Sequence, residues 1–118
     1  MMINLSFNNV QTSFSGKNDK LLKSLEYRAN IANYRAPELS EFYNNSAKFI
    51  NKEIKKKEFL NNTSDTIKLL NKKNTHLDSQ EAYFFRNISQ TLQILNKTKI
   101  PTEYLKNLLK IFSPTDRI

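Results

Sequence analysis

Cysteine and tryptophan are absent from this sequence of 118 residues, and glycine and histidine each occur only once. Without cysteine there is no disulfide framework, no cysteine-ligated zinc site and no thiol nucleophile. The single glycine, Gly16, excludes a glycine-rich phosphate-binding loop and a dinucleotide-binding fingerprint. The single histidine, His76, excludes a histidine-rich metal site and leaves one candidate histidine base. These absences remove most of the common sequence signatures of catalysis.

Long hydrophobic runs are missing as well. No stretch approaches the roughly 18 to 20 apolar residues of a membrane-spanning helix. Residues 1–16 carry no charged side chain, so they lack the basic start of a signal peptide. Polar residues are spread among their apolar residues, so they also lack its continuous apolar stretch. We therefore expect a cytoplasmic protein, and 118 residues are enough to bury one hydrophobic core.

Acidic residues are few, and the chain carries a net charge of +8. This charge favours acidic partners such as nucleic acid, anionic lipid head groups or an acidic protein surface. Lysine outnumbers arginine by 15 to 4, whereas proteins that recognise specific bases or phosphates rely on the planar guanidinium group of arginine. Asparagine is also abundant, with 16 residues, and asparagine and lysine share AT-rich codons. Coding bias is therefore an alternative source of the positive charge.

The N-terminal residues 1–16 differ from the rest of the chain. Ile3, Leu5 and Phe7 alternate with polar residues, and this period of two is typical of a short strand. Because a lone strand has nothing in this chain to pair with, we predict a non-helical arm. The arm is either loosely held, laid along the domain or donated to a partner. Residues 17–118 are predicted to form a single helical domain.

Apolar residues at helical spacing, together with capping residues and prolines, predict five helices. The first predicted helix covers 18–34 and is capped by Asn18, and the second begins at Pro37, with the lysines at 55–57 in or near its last turns. A break at Asn61 and Asn62 is followed by a short third helix over 63–74. The fourth and fifth helices cover 78–96 and 101–112. Short connections force neighbouring helices to lie antiparallel. The predicted fold class is all-α, an antiparallel up-and-down bundle of four helices plus one short helix.

The fourth helix carries the clearest signals. Asp78 is the predicted N-cap, and Glu81 three residues later completes a capping box. The aromatic run Tyr83-Phe84-Phe85 predicts core packing, with a groove for a ligand or partner as the alternative.

Candidate catalytic and metal-ligating groups are scarce. The carboxylate pairs Glu38/Glu41 and Asp78/Glu81 lie at predicted helix starts, where the helix dipole and capping already account for them. His76 has no nucleophile with a matching orienting carboxylate near it in the sequence. We therefore predict a binding protein without catalytic residues, metal ligands or a cofactor.

A row of lysines is the main feature that suggests nucleic acid. Lys48, Lys52 and Lys55 are spaced to lie on one side of the second predicted helix, opposite its apolar stripe, and Lys56 follows them. A solvated helix face with a favourable basic C-terminus accounts for this pattern. The alternative is a nucleic-acid- or ribosome-associated module that contacts phosphates through Lys48, Lys52, Lys55 and Lys56.

The C-terminal half resembles the immunity proteins of pediocin-like bacteriocins. The resemblance rests on a helix over 78–96, the loop Lys97-Thr98-Lys99-Ile100-Pro101 and the helix opening Thr102-Glu103-Tyr104, with a similar proline-containing joint at 34–39. It implies a small, basic, cytoplasmic bundle that protects a producer cell by helping to block the complex of the bacteriocin with a membrane sugar permease. This chain differs from the family pattern in its longer arm, extra short helix and short tail.

The leading hypothesis is therefore a bundle that recognises a protein partner through its fourth and fifth helices and its tail. The candidate partner-binding residues are Tyr104, Lys106, Lys110 and Arg117. A further stretch, Asn30-Ile31-Ala32-Asn33, is similar to a segment near the start of flagellar rod proteins. A structural part in flagellar or secretion assembly is the third hypothesis.

Overall fold

Five α-helices make up most of residues 18–114, the part of the chain that this computed structural model describes. They are α1 (Asp19–Ala32), α2 (Pro37–Ile50), α3 (Lys56–Lys73), α4 (Ser79–Ile94) and α5 (Thr102–Leu109). Short 3₁₀ turns follow at Lys97–Lys99 and Lys110–Phe112, and residues 18–114 contain no strand. The predicted all-α bundle is confirmed for this range. The predicted arm over 1–16 lies outside it.

A cluster of aromatic rings packs α2, α4 and the turn after α5 together. The ring centroid of Phe42 lies 4.7 Å from that of Phe85, 5.1 Å from that of Phe84 and 6.2 Å from that of Phe112. These separations, with tilted or edge-on planes, are typical of favourable aromatic pairs. All four rings are buried, whereas Tyr83 is 45% exposed. The predicted core role of the aromatic run therefore holds for Phe84 and Phe85.

Small side chains let α1 approach α2 closely. Ala29 and Ala32 are buried, and the Ser40 hydroxyl donates a 2.8 Å hydrogen bond to the Ala29 carbonyl oxygen. Pro37 is the first residue of α2, where its missing N–H removes no helical hydrogen bond. Asn18 precedes α1 but makes no side-chain cap, contrary to the prediction, because its backbone is not in the extended conformation that N-cap residues use.

The second helix ends earlier than predicted. The Glu53 N–H donates to the Lys48 carbonyl oxygen at 2.7 Å, and the Lys52 N–H donates to the Phe49 carbonyl oxygen at 3.1 Å. Lys52 itself is left-handed, with φ of 64°. This is the Schellman motif that commonly ends helices, and its left-handed residue is usually glycine. Because lysine occupies that position, the sequence shows no stop signal there.

The lysines at 55–57 consequently belong to the start of α3, and their predicted place in the last turns of α2 is wrong. Lys55 is the N-cap residue, without a side-chain cap, and Lys56 and Lys57 open the first turn. Cations at this end oppose the helix dipole, and Glu58 in the same turn offsets them in part. The predicted helical stripe of Lys48, Lys52 and Lys55 therefore does not form.

The third helix continues through Asn61 and Asn62, where a break was expected. Asparagine costs only about 0.7 kcal/mol of helix propensity relative to alanine, and the burial of Phe59 and Leu60 in the same turn outweighs it. Phe59 also stacks on Phe49, with ring centroids 4.5 Å apart. The helix predicted to be short is the longest, with 18 residues, and the short one is α5, with 8.

The start of α4 confirms the predicted capping box. Asp78 Oδ1 accepts from the Glu81 N–H at 2.7 Å, and Glu81 Oε1 accepts from the Asp78 N–H at 2.9 Å. The fifth helix begins at Thr102, one residue later than predicted, because Pro101 is its N-cap residue.

Candidate functional site

A buried carboxylate joins α4 to α2 and to the loop between α1 and α2. Glu81 is fully buried, and its Oε2 accepts from the Tyr43 hydroxyl at 2.5 Å and from Arg35 Nη2 at 2.8 Å. Burial, together with this hydrogen bond, raises the pKa of Tyr43 far above its ordinary value. The hydrogen bond to Glu81 likewise raises the pKa of Arg35. Tyr43 therefore remains a neutral donor and Arg35 remains a cation.

Arg28 extends this network from α1. Its Nη1 lies 3.2 Å from the Tyr43 hydroxyl and 3.4 Å from Asp78 Oδ2, and its Nη2 donates to Gln80 Oε1. Its guanidinium carbon lies 5.0 Å from the ring centroid of Phe112, within cation–π range. Each group has its partner inside the bundle, so we assign the network to holding the helices together.

A groove between α3 and α4 is the stronger candidate for a site, and we call it the α3–α4 groove. Its larger part has a volume of about 740 Å³. The α3 wall consists of Lys56, Lys57, Asn61 and Ser64, and the facing wall of Leu92, Leu95, Asn96, Lys97 and Thr98. A second cavity, of about 310 Å³, shares Ser64 and Leu92 with the first and continues along Ile67, Lys68, Asn71, Ser89 and Gln93. The groove thus follows α3 from residue 56 to residue 71, about 24 Å at the helical rise.

The charged side chains that line the groove are all cations. Lys56, Lys57, Lys68 and Lys97 line the groove, and no acidic residue does. Within residues 18–114, none of these four lysines makes an ion pair, whereas Arg28, Arg35, Lys73 and Lys106 each do. The groove lining therefore concentrates lysines that make no ion pair in the described range.

Two of these lysines also shape the groove. Lys56 Nζ donates to the carbonyl oxygens of Thr98 at 3.1 Å and Ile100 at 2.8 Å. Lys97 Nζ donates to Asn61 Oδ1 at 2.8 Å. Both contacts tie the turn after α4 to α3, because each bridges the two walls. They hold the lysine end of the groove in place, and their acceptors are neutral oxygens and not carboxylates.

Apolar side chains lie between the lysines. Ile67 and Leu92 are half-buried in the groove, and Leu95 at its rim is 39% exposed. Ile94, the last residue of α4, is 79% exposed. Neighbouring exposed aliphatic residues beside a cavity are typical of an interaction surface.

The predicted partner-binding residues on α5 and in the turn after it lie elsewhere. The Tyr104 hydroxyl is 2.7 Å from Thr91 Oγ1, so it ties α5 to α4. Lys106 and Lys110 line a cavity of about 240 Å³ with Glu103, whose Oε2 is 4.0 Å from Lys106 Nζ. The structure thus brings Lys106 and Lys110 together, but outside the α3–α4 groove. Arg117 lies beyond the described residues.

The four lysines of the nucleic-acid alternative are divided between surfaces. Lys48 lines a cavity of about 430 Å³ between α1 and α2, Lys52 lies in the loop after α2, and Lys55 is the N-cap residue of α3. Lys56 belongs to the α3–α4 groove. The sequence prediction missed Lys57, Lys68 and Lys97 as members of one surface. The run of lysines at 55–57 was the available signal for this surface. It was not recognised because the end of α2 was predicted too late in the sequence.

Residues 18–114 contain no cluster of three or more His, Cys, Asp or Glu side chains that could hold a metal ion. His76 is exposed, and its carbonyl oxygen accepts a hydrogen bond from Arg35 Nη1 at 3.1 Å. None of the helices described above is both long enough and apolar enough to cross a membrane.

No protein-family model matches the chain, and no curated protein or solved structure is significantly similar to it. The candidate site is therefore defined by its own geometry.

Proposed function

We propose that this protein is a small, non-enzymatic binding protein that recognises an acidic protein partner through the α3–α4 groove. The observation that carries the proposal is the set of four groove lysines without a carboxylate partner in the described range. A surface lined by charge of one sign steers a complementary surface and favours it over like-charged competitors. An acidic surface would supply the carboxylates that the groove lining lacks.

The chemistry of the groove supports a protein partner over nucleic acid. Single-stranded nucleic acid is held by stacking its bases on aromatic or arginine side chains. The groove lining contains neither type, and its lysines flank the aliphatic residues Ile67, Leu92 and Leu95. A protein segment uses both kinds of contact, because it can present carboxylates and apolar side chains together.

The non-enzymatic part of the proposal is supported by composition. The chain has no cysteine, and its one histidine is exposed and does not line the groove. A cytoplasmic location and immunity-type protection at a sugar permease remain predictions from the sequence. The nucleic-acid and assembly alternatives remain predictions as well, and the experiment below separates them.

Site-specific photo-cross-linking tests the proposal. A photoreactive residue is placed at Leu95 in the groove and, as a matched position, at Lys48 on the α1–α2 surface. We expect an adduct with one protein species from position 95 and none from position 48 in cells of the native host. Mass spectrometry should locate the adduct in an acidic segment of that protein. An adduct that nuclease removes, or one formed from position 48 alone, would overturn the proposal.

Charge reversal provides the control. The double variant Lys57→Glu/Lys97→Glu should abolish the adduct, because it reverses the charge at the lysine end of the groove. Lys23 on α1 and Lys48 on α2 are exposed and do not line the groove, so the double variant Lys23→Glu/Lys48→Glu changes the net charge equally and should leave the adduct unchanged. Equal loss in both variants would show that net charge, not the groove, drives binding.

A further inference from the structure

Resting on the proposed function, we infer that the segment bound in the α3–α4 groove is an acidic amphipathic helix of about four turns. Three features of the groove support this occupant: the helical spacing of its α3 lining, the lack of a sheet edge in the described range, and the order of charged and apolar groups along it.

The α3 wall of the groove is a helix face, and the facing wall combines α4 with the turn that follows it. On α3 the lining residues are 56, 57, 61, 64, 67, 68 and 71, on α4 they are 89, 92 and 93, and residues 95–98 of the facing wall follow α4. The α3 positions lie on one face of the helix, because they recur every three or four residues with only 56/57 and 67/68 as neighbours, so the α3 wall presents ridges with the helical period. Ridges of this period accept the side-chain rows of a further helix, which has the same spacing. A length of about 24 Å corresponds to about 16 helical residues.

An extended ligand has no comparable place to dock. A peptide strand binds by adding main-chain hydrogen bonds to the free edge of a sheet. Residues 18–114 form helices and turns and contain no strand, so that edge is missing there. Helix-in-groove docking uses side-chain anchors instead, and the groove supplies these.

The order of groups along the groove defines the occupant. Lys56, Lys57 and Lys97 cluster at one end, Leu92 lies in the middle, and Ile67 and Lys68 follow toward the other end. A matching helix carries carboxylates that face the lysine end and an apolar stripe that faces Leu92 and Ile67. Helical geometry presents both at once, because residues i, i+3, i+4 and i+7 share one face.

Designed peptides test this inference with the full chain. The probe is a fluorescent amphipathic peptide of about 16 residues, built from glutamate, leucine and alanine. One control peptide has the same composition without an apolar stripe, and a second has every glutamate replaced by glutamine. We expect the probe to bind at least about tenfold more tightly than either control, because each control lacks one of the two matched features. Backbone amide shifts should map the probe to Asn61, Ser64 and Leu92.

Variants of the chain complete the test. Lys57→Glu/Lys97→Glu should weaken the probe at least about tenfold, and Lys23→Glu/Lys48→Glu by less than about twofold. Far-UV circular dichroism and urea midpoints verify that both variants are folded. Equal binding of the two acidic peptides, shifts mapping elsewhere or stronger binding of an oligouridylate would each overturn the inference.

The outcomes also separate this inference from the proposed function. If a native partner is cross-linked from position 95 through a non-helical segment, the helix inference is wrong and the proposed function stands. If no partner is cross-linked from position 95, the proposed function is wrong, whatever the peptides do.

Discussion

The Tyr43 hydroxyl donates a 2.5 Å hydrogen bond to Oε2 of Glu81, a carboxylate that is fully buried in the bundle. The Glu81 carboxylate also completes the capping box of α4 through Asp78 and pairs with Arg35. One side chain thus starts a helix and fixes that helix against α2. Because a buried carboxylate is costly unless its oxygens are satisfied, removing a donor should destabilise the fold.

Tyr43→Phe is expected to lower the free energy of unfolding by about 1 to 3 kcal/mol, because it leaves a buried charged acceptor short of one donor. Tyr104→Phe is the matched control. It also removes a tyrosine hydroxyl, but from a half-buried hydrogen bond to Thr91, and should cost about 1 kcal/mol or less. Urea unfolding followed by circular dichroism measures both. An equal or larger loss for Tyr104→Phe would contradict this prediction.

Glu38 should contribute to the loss of stability in acid. Its pKa lies below the ordinary value of about 4.5, first because the Thr75 hydroxyl donates to its carboxylate at 2.5 Å and further because Lys73 Nζ lies 3.2 Å away. The folded state therefore holds this proton less tightly than the unfolded state. The stabilisation is fully present above pH 4.5 and is lost as the pH falls through the lower folded-state value.

Glu38→Gln should flatten this dependence, so that the free energy of unfolding falls less between neutral pH and pH 3 than in the parent chain. Glu41→Gln, on the exposed side of the same helix, serves as the control and should keep the parent dependence. Urea titrations at a series of pH values measure the slopes. If the free energy of unfolding of both variants depended on pH in the same way, the assigned role of Glu38 would be contradicted.

The sequence predicts features that depend on neighbouring residues and misses features that depend on tertiary structure. The capping box of Asp78 and Glu81 needs two residues three apart, so it was visible. The continuation of α3 through Asn61 and Asn62 was not visible in the sequence, because the burial of Phe59 and Leu60 overrides the low helix propensity of asparagine. The α3–α4 groove was missed for a related reason, since its walls lie far apart in the sequence and only packing brings them together.

The end of α2 was missed because lysine occupies a position that glycine usually takes. Lys52 has φ of 64°, and a side chain in the left-handed region costs about 1 kcal/mol or more. Lys52→Gly should therefore raise the free energy of unfolding by about 0.5 to 1 kcal/mol. Asn74 is the similar left-handed residue at the end of α3, and Asn74→Gly should raise the free energy of unfolding by less, because asparagine tolerates this region. Thermal unfolding compares the two, and a destabilised Lys52→Gly variant would contradict the assignment.

Lys57 links the stability of α3 to the proposed binding. It lies in the first turn of α3, at the positive end of the helix dipole, and is exposed without an ion pair in the described range. Lys57→Glu should raise the free energy of unfolding by about 0.5 to 1 kcal/mol, because it replaces an unfavourable charge with a favourable one. The same change should weaken the acidic probe peptide, since a groove cation is lost.

Two further lysines separate the effects. Lys97 lies in the groove but outside α3, so Lys97→Glu should weaken binding of the probe peptide without stabilising the fold. Lys72→Glu lies in the last turn of α3, where a cation is favourable, so it should destabilise the fold slightly and leave the probe affinity unchanged. Urea unfolding and fluorescence anisotropy on the same samples give the two quantities. If Lys57→Glu and Lys97→Glu retained the probe affinity, the lysine end would not be a binding surface. If Lys57→Glu failed to stabilise the fold, the dipole explanation for this helix start would be wrong.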